Sequence, residues 1–248
     1  MEFARPLVPG RLLRRYKRFL ADVELSDGRV VTAHCANPGS MMGLSDPGRD
    51  VWLEPNDDPK RKLKFTWRLV ELPGGGMAGI DTGVPNKVVA EALAARLIPE
   101  FAGYDVIRPE QRYGRNSRID FLLQAEGLPD AYVEVKNVHL EREAGLAEFP
   151  DSVTARGAKH LSDLADEVAS GHRAVMLYVI QMTTPDRFDL ARDIDPAYAK
   201  AFTLATARGV EVLVWRCMLD THRITLESPV PYVGPLGVDP ETAGVKPG

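Results

Sequence analysis

The stretch RIDFLLQAEGLPDAYVEVKNVHL, Arg118 to Leu140, leaves its chain few ways to fold. Ile119, Phe121 and Leu123 recur at every second position, as do Val133 and Val135, and a period of two is the mark of strands with one buried face. The intervening AEGLP, residues 125–129, reads as a loop, so the two strands form a hairpin. With that loop, residues whose numbers sum to 254 face each other, and Asp120 lies opposite Glu134. Two carboxylates directly opposed across a strand pair repel. A surface hairpin with a salt bridge is the competing reading, and it favours opposite charges there. A divalent cation turns the repulsion into a site, because Mg²⁺ takes one or two carboxylates and fills its other positions with water and phosphate oxygens. Lys136 shares the face of Glu134, where an ammonium stabilises charge developing on a phosphate oxygen or orients a water. The D-(x13)-E-x-K spacing alone is a weak signal.

Around this hairpin the chain alternates element types. The segments YKRFLADVEL, VVTAHC, DVWLEP and FTWRLVEL read as short strands with SDGR and DPGR as turns, which predicts a small five-stranded barrel of the OB kind over residues 1–80. The Gly/Pro-rich run 72–87 ends it. Residues 81–231 then read as helix 87–98 capped by Asn86, a strand near 104–114, the hairpin, helix 152–169, strand 173–182, helix 196–207 and strand 210–219. That order predicts an α/β domain around a mixed sheet, α+β for the whole chain. Residues 232–248, rich in Gly and Pro, are expected to be a disordered tail.

The net charge of −4 conceals two halves. Residues 1–80 carry 13 Lys/Arg against 10 Asp/Glu, a net of +3, and the remainder 18 against 25, a net of −7. The basic excess gathers in RLLRRYKR (Arg11, Arg14, Arg15, Lys17, Arg18) and KRKLK, residues 60–64, either a phosphate-binding patch or solvated charge. No apolar run is long enough to span a membrane. Two separate cysteines, Cys35 and Cys217, with neither a CxxC nor an export signal ahead of them, are expected to be reduced thiols in the cytoplasm.

RIDF and YVEVKNV resemble the PD-(D/E)xK nuclease core. Together with LLRRYKRFLADV, HCANPGSM, SRIDFLL, FPDSVTARGAKHLSDL and AVMLYVIQ, in that order from about residue 3 to 228, the chain is similar to the sugar fermentation stimulation protein A family. The resemblance implies an OB-like domain followed by a nuclease-like domain, DNA binding without strong sequence preference, and a link to regulation of sugar, especially maltose, metabolism. It implies Asp120 and Glu134 as metal ligands and as catalytic residues with Lys136, the Val135 carbonyl as a further ligand, Mg²⁺ or Mn²⁺ as the cofactor, and Glu91 as an added acid from the first helix. Where the core usually shows Pro-Asp, this chain has Ile119-Asp120; the proline varies in this fold. In TARGAKHL, Arg156, Lys159 and His160 share a helix face and meet a phosphate or remain an ordinary surface.

Two function classes follow. One is a Mg²⁺-dependent nuclease acting on DNA. The other is a non-catalytic DNA-binding regulator using the barrel, with Tyr16 stacking on a base and the neighbouring arginines on phosphates. A pure binder of a polyanion gains nothing from opposed carboxylates.

Overall fold

A computed structural model describes residues 1–114 and 117–235. The first five strands are β1 (Val8–Tyr16), β2 (Leu20–Leu25), β3 (Val30–Cys35), β4 (Asp50–Pro55) and β5 (Phe65–Glu71). They pair antiparallel as β3-β2-β1-β4-β5, and a parallel β3–β5 ladder, with Cys35 opposite Trp67, closes the barrel. Closure leaves these strands without free edges. A side chain at Gly10 would strike Val23 and the Glu24 carbonyl, so the close approach of β1 to β2 requires glycine there. The short β6 (Met77–Gly79) extends β5.

YKRFLADVEL is two strands in the structure rather than one. Lys17 and Arg18 take φ of 49° and 62° and fold β1 back onto β2, with Tyr16 opposite Leu20. Neither residue signals a left-handed turn, a conformation that Gly, Asn and Asp adopt most readily.

The second unit begins with α1 (Val84–Ala94), three residues earlier than the sequence suggests. Pro85 occupies its first turn, where a missing N–H costs nothing. Asn86 therefore lies inside the helix and caps nothing. Next come β7 (Val106–Tyr113), β8 (Ser117–Gln124), β9 (Ala131–Val138), β10 (Leu140–Glu143) and β11 (Leu146–Phe149). They are followed by α2 (Ala155–Ala169), β12 (Arg173–Ile180), β13 (Arg187–Leu190), α3 (Pro196–Ala207), β14 (Glu211–Leu219) and β15 (Ile224–Pro229).

The main sheet runs β15-β14-β12-β9-β8-β7, parallel where β12 meets β9 and β14 and antiparallel elsewhere. Strand β12 is buried on both faces. Val175, Leu177 and Val179 join Val88 and Val89 of α1, while Met176 and Tyr178 join Leu161 of α2 and Phe202 of α3. Each buried aliphatic side chain contributes roughly 1.5–3 kcal/mol, which explains why this strand was the plainest in the sequence. Strands β10, β11 and β13 form a separate small sheet.

Tyr232, placed in the expected tail, packs its ring on Phe188 and Phe202, and its hydroxyl accepts from Arg192. The ordered chain thus continues past 231, because an aromatic ring closes the end of that core. The rest of the expected tail, 236–248, lies outside the described residues.

Barrel and sheet share one continuous core cluster. A polar junction also joins them. The Asp151 carboxylate accepts from the Met41 N–H (3.2 Å) and pairs with His139 at the end of β9 (3.2 Å), while Ser40 donates to the Asp151 carbonyl. On the barrel side the Arg15 guanidinium donates to the carbonyls of Arg18, Asn37, Gly39 and Ser40, which fixes the loop that follows β3.

Candidate functional site

The hairpin pairs in the expected register, Leu123 with Ala131, Leu122 with Tyr132 and Phe121 with Val133, and there the ladder stops. Beyond it the strands fork. The Asp120 carboxylate enters the gap and accepts the Val135 N–H (2.8 Å) on one oxygen and the Asn86 amide (2.7 Å) on the other. On the opposite edge the β7–β8 pairing passes over Glu110, whose φ is 51°. Burial alternates along the whole of β8, but its apolar residues divide at Asp120, since Ile119 belongs to the core cluster holding Leu161 and Leu164 of α2, whereas Phe121 and Leu123 belong to the α1 cluster. The single apolar face expected for Ile119, Phe121 and Leu123 is thus divided, with the break at the aspartate.

Glu134 is only 3% exposed. Its Oε1 accepts from Lys136 Nζ (2.6 Å) and from His160 Nδ1. Arg156 Nε donates to His160 Nε2 (3.3 Å), so Nε2 is the acceptor and the ring proton sits on Nδ1, facing Glu134. Its Oε2 is buried and has no partner among the described residues. Burial raises a carboxyl, but the His160 hydrogen bond and the Lys136 charge outweigh it and hold Glu134 below its ordinary range. Asp120 goes the other way. Burial, and then the charge of Glu134, push it up, and the Val135 and Asn86 donors offset this only in part.

Helix α2 delivers His160 because of its local chemistry. Thr154 caps it by accepting the Gly157 N–H (3.1 Å), and Gly157, His160, Leu161, Leu164 and Ala165 form its buried stripe. Arg156 and Lys159 border the same face. Together with Arg112, Arg118, Tyr113 and Ser117 from β7 and β8 they line a recess of about 640 Å³ beside His160. Lys159 donates to Ser117 and to Asp163, both at 2.6 Å.

The structure thus brings together Asp120, Glu134, Val135, Lys136, Arg156, Lys159 and His160. It does not bring Glu91 to them. That carboxylate pairs with the Met1 α-ammonium, and Asn86, on another face of α1, is the helix residue that reaches Asp120. Val135 meets Asp120 through its N–H. The β1 group is separate and largely engaged within the barrel. Arg14 pairs with Asp22 (2.8 Å) and lies over the Tyr16 ring, the Tyr16 hydroxyl donates to Asp22 (3.0 Å), and Arg15 holds the loop described above. Arg11, Lys17 and Arg18 are exposed. Sequence reasoning missed Asn86 and the Arg112, Arg118 and Tyr113 wall. The signal for that wall is the number of residues between Tyr113 and Ser117, which sets Arg112 opposite Arg118.

Among the described residues no three His, Cys, Asp or Glu are arranged to hold a metal together, and with His160 Nδ1 bonded to Glu134 the two carboxylates do not suit a closed zinc site. They suit Mg²⁺ or Mn²⁺, which use few protein ligands. The unpartnered Glu134 Oε2 is the specific observation in favour of that fit.

The profile described as "SfsA N-terminal OB domain" matches residues 13–80, and that described as "Sugar fermentation stimulation protein RE domain" matches residues 83–223. A sugar fermentation stimulation protein homolog from Ruegeria pomeroyi is 65% identical over 222 residues, 90% of this chain and 95% of that protein. One from Dinoroseobacter shibae is 62% identical over 232 residues, 93% of this chain and 95% of its own length. Among solved structures, "The structure of Pyrococcus Furiosus SfsA in complex with Ca2+" superposes with a TM-score of 0.83 at 27% identity, covering 94% of this chain and 97% of that one.

Proposed function

The chain belongs to the sugar fermentation stimulation protein family, and from that premise we propose that it is a divalent-metal-dependent nuclease that binds DNA with little sequence preference. The observation that carries this reading is Glu134 Oε2, a carboxylate oxygen buried without a donor among the described residues, beside a half-buried carboxylate, Asp120. An arrangement of that kind is costly in a protein that only binds a polyanion. The Ca²⁺ named for the Pyrococcus furiosus protein supports the same reading, since Ca²⁺ takes oxygen ligands as Mg²⁺ does.

In this proposal Asp120 and Glu134 hold the Mg²⁺ or Mn²⁺. When bound, such an ion supplies Lewis acidity toward a phosphoryl oxygen and eases deprotonation of water. Asn86 and the Val135 N–H hold Asp120 in place. His160 does the same for Glu134, and Arg156 fixes the His160 tautomer. Lys136, fastened to Glu134, adds positive charge at the phosphate and orients the attacking water. The two free thiols, both buried, fit a reducing cytoplasm.

Incubation with single- and double-stranded DNA in Mg²⁺, in Mn²⁺ and in EDTA tests the reading. Cleavage that needs the metal and disappears in Asp120→Ala and Lys136→Ala is expected. No cleavage on any substrate, or full cleavage by both variants, leaves a non-catalytic DNA-binding regulator as the better account.

A further inference from the structure

Strands β7 and β8 set Arg112 directly opposite Arg118. Like charges facing each other across a strand pair repel, so the bare protein bears a cost here that an anion between them would remove. Arg118 has a partner in Glu110 (2.9 Å), but Arg112 has no acidic partner among the described residues, and neither has Arg156 across the recess. The described lining contains no carboxylate, although Asp163 beside it accepts from Ser117 and from Lys159. Tyr113 lines it as well. This residue is 6% exposed and its hydroxyl is buried, with no partner among the described residues, so it shapes the wall of the recess and is no contact for a ligand.

We propose that this recess binds the terminal phosphate of a nucleic-acid strand, with Arg112, Arg118 and Arg156 as its cationic contacts. The ligand's being a nucleic acid rests on the nuclease reading above. A terminal phosphate is favoured over an internal diester by charge. The diester carries a single negative charge, whereas a phosphate monoester carries about −1.5 to −2 near neutral pH and offers a third free oxygen. The two arginines without acidic partners match that dianion, and a guanidinium binds phosphate with a bidentate fork. Because His160 walls both the recess and the Glu134 site, a strand end held here lies beside the acid pair, and cutting is directed to chain ends.

The test is fluorescence anisotropy in EDTA with one single-stranded oligonucleotide carrying a 5′-phosphate, a 3′-phosphate or neither. One phosphorylated form is expected to bind at least tenfold more tightly than the unphosphorylated strand, and which form does so identifies the end. Arg112→Ala and Arg118→Ala should each reduce that preference several-fold, with Arg112→Lys intermediate and the unphosphorylated affinity nearly unchanged. Equal binding of all three strands by the wild type overturns the proposal, as does a preference that survives Arg112→Ala and Arg118→Ala intact. The same strands incubated with Mn²⁺ separate the two readings. A phosphate preference without cleavage sustains the recess and sinks the nuclease, and cleavage without a preference does the reverse.

Discussion

Two clusters of positive charge, one on β1 of the barrel and one around α2, look alike in the sequence and differ in what their charge does. On β1, Arg14 pairs with Asp22, and Arg15 spends its guanidinium on four backbone carbonyls. Around α2, Arg156 donates only to a neutral imidazole, and Arg112 faces another arginine. Charge engaged by the fold is tied to its own structure, whereas exposed charge left without an acid stays available to a ligand. A basic run in a sequence therefore marks a candidate surface, and only the partners show whether its charge is available.

If this contrast is right, substitutions near α2 should remove function and spare stability, and substitutions on β1 should do the opposite. The largest effect is expected at Lys136, in the proposed site. Lys136→Ala should lower the cleavage rate by about 10²–10³-fold, the range for losing one charge-stabilising donor, measured at a temperature where the variant is folded, because it also leaves Glu134 buried without its cation. A folded variant that cuts normally would break the contrast at its strongest point.

Arg15→Ala comes next. It strips the donor from four carbonyls and should cost about 2–3 kcal/mol in urea denaturation, given about 1.5–3 kcal/mol for a hydrogen bond to a charged group and partial replacement by water. Its affinity for DNA should move less than that of Arg156→Ala. A large loss of affinity without loss of stability would return Arg15 to the binding surface.

Asp151→Asn tests the junction that Arg15 supports. Burial would raise this carboxyl, but the His139 hydrogen bond and charge, with the Met41 N–H and Ser152, outweigh it and hold it well below the usual range. A depressed carboxyl stabilises the fold above its unfolded pKa of about 3.9, and that contribution is lost as pH falls through the lower folded value. The variant should be about 1–3 kcal/mol less stable at pH 7, and the gap should begin to close only below about pH 4. A gap that closes between pH 5 and 7 would implicate another group.

The smallest effect concerns the β1–β2 turn. Lys17→Asn with Arg18→Gly relieves two left-handed backbone conformations and should stabilise the barrel by about 1 kcal/mol, read from the urea midpoint. If DNA affinity then falls by more than about twofold at fixed salt, these two exposed cations act in binding after all, and β1 is not wholly a structural cluster.

Much of the architecture was legible because it depends on patterns a few residues long. The β12 run, the period-two hairpin and the α2 stripe announce themselves in any window of eight to fifteen residues, and the register of Phe121 against Val133 follows from the loop length alone. What escaped depends on partners far along the chain. Strands β10, β11 and β13 have four residues each, too few for a period, and take their conformation from one another. Asn86 looks like a cap until Asp120 is placed beside it. The fork itself is invisible locally, since the alternation that identifies β8 gives no sign of where pairing ends.

The guanidinium of Arg15 has a consequence for how this protein can be taken apart. By gathering three main-chain oxygens of the loop after β3 and one of the β1–β2 turn, it does for them what a bound calcium ion does for many surface loops, with the difference that it is covalently attached. Chelators cannot extract it. With the proposed metal bound at the acid pair on β8 and β9, exhaustive demetallation should therefore disturb that pair and leave the barrel's seat on the sheet intact. A metal-stripped preparation then reports on the chemistry of the site, with the architecture held constant.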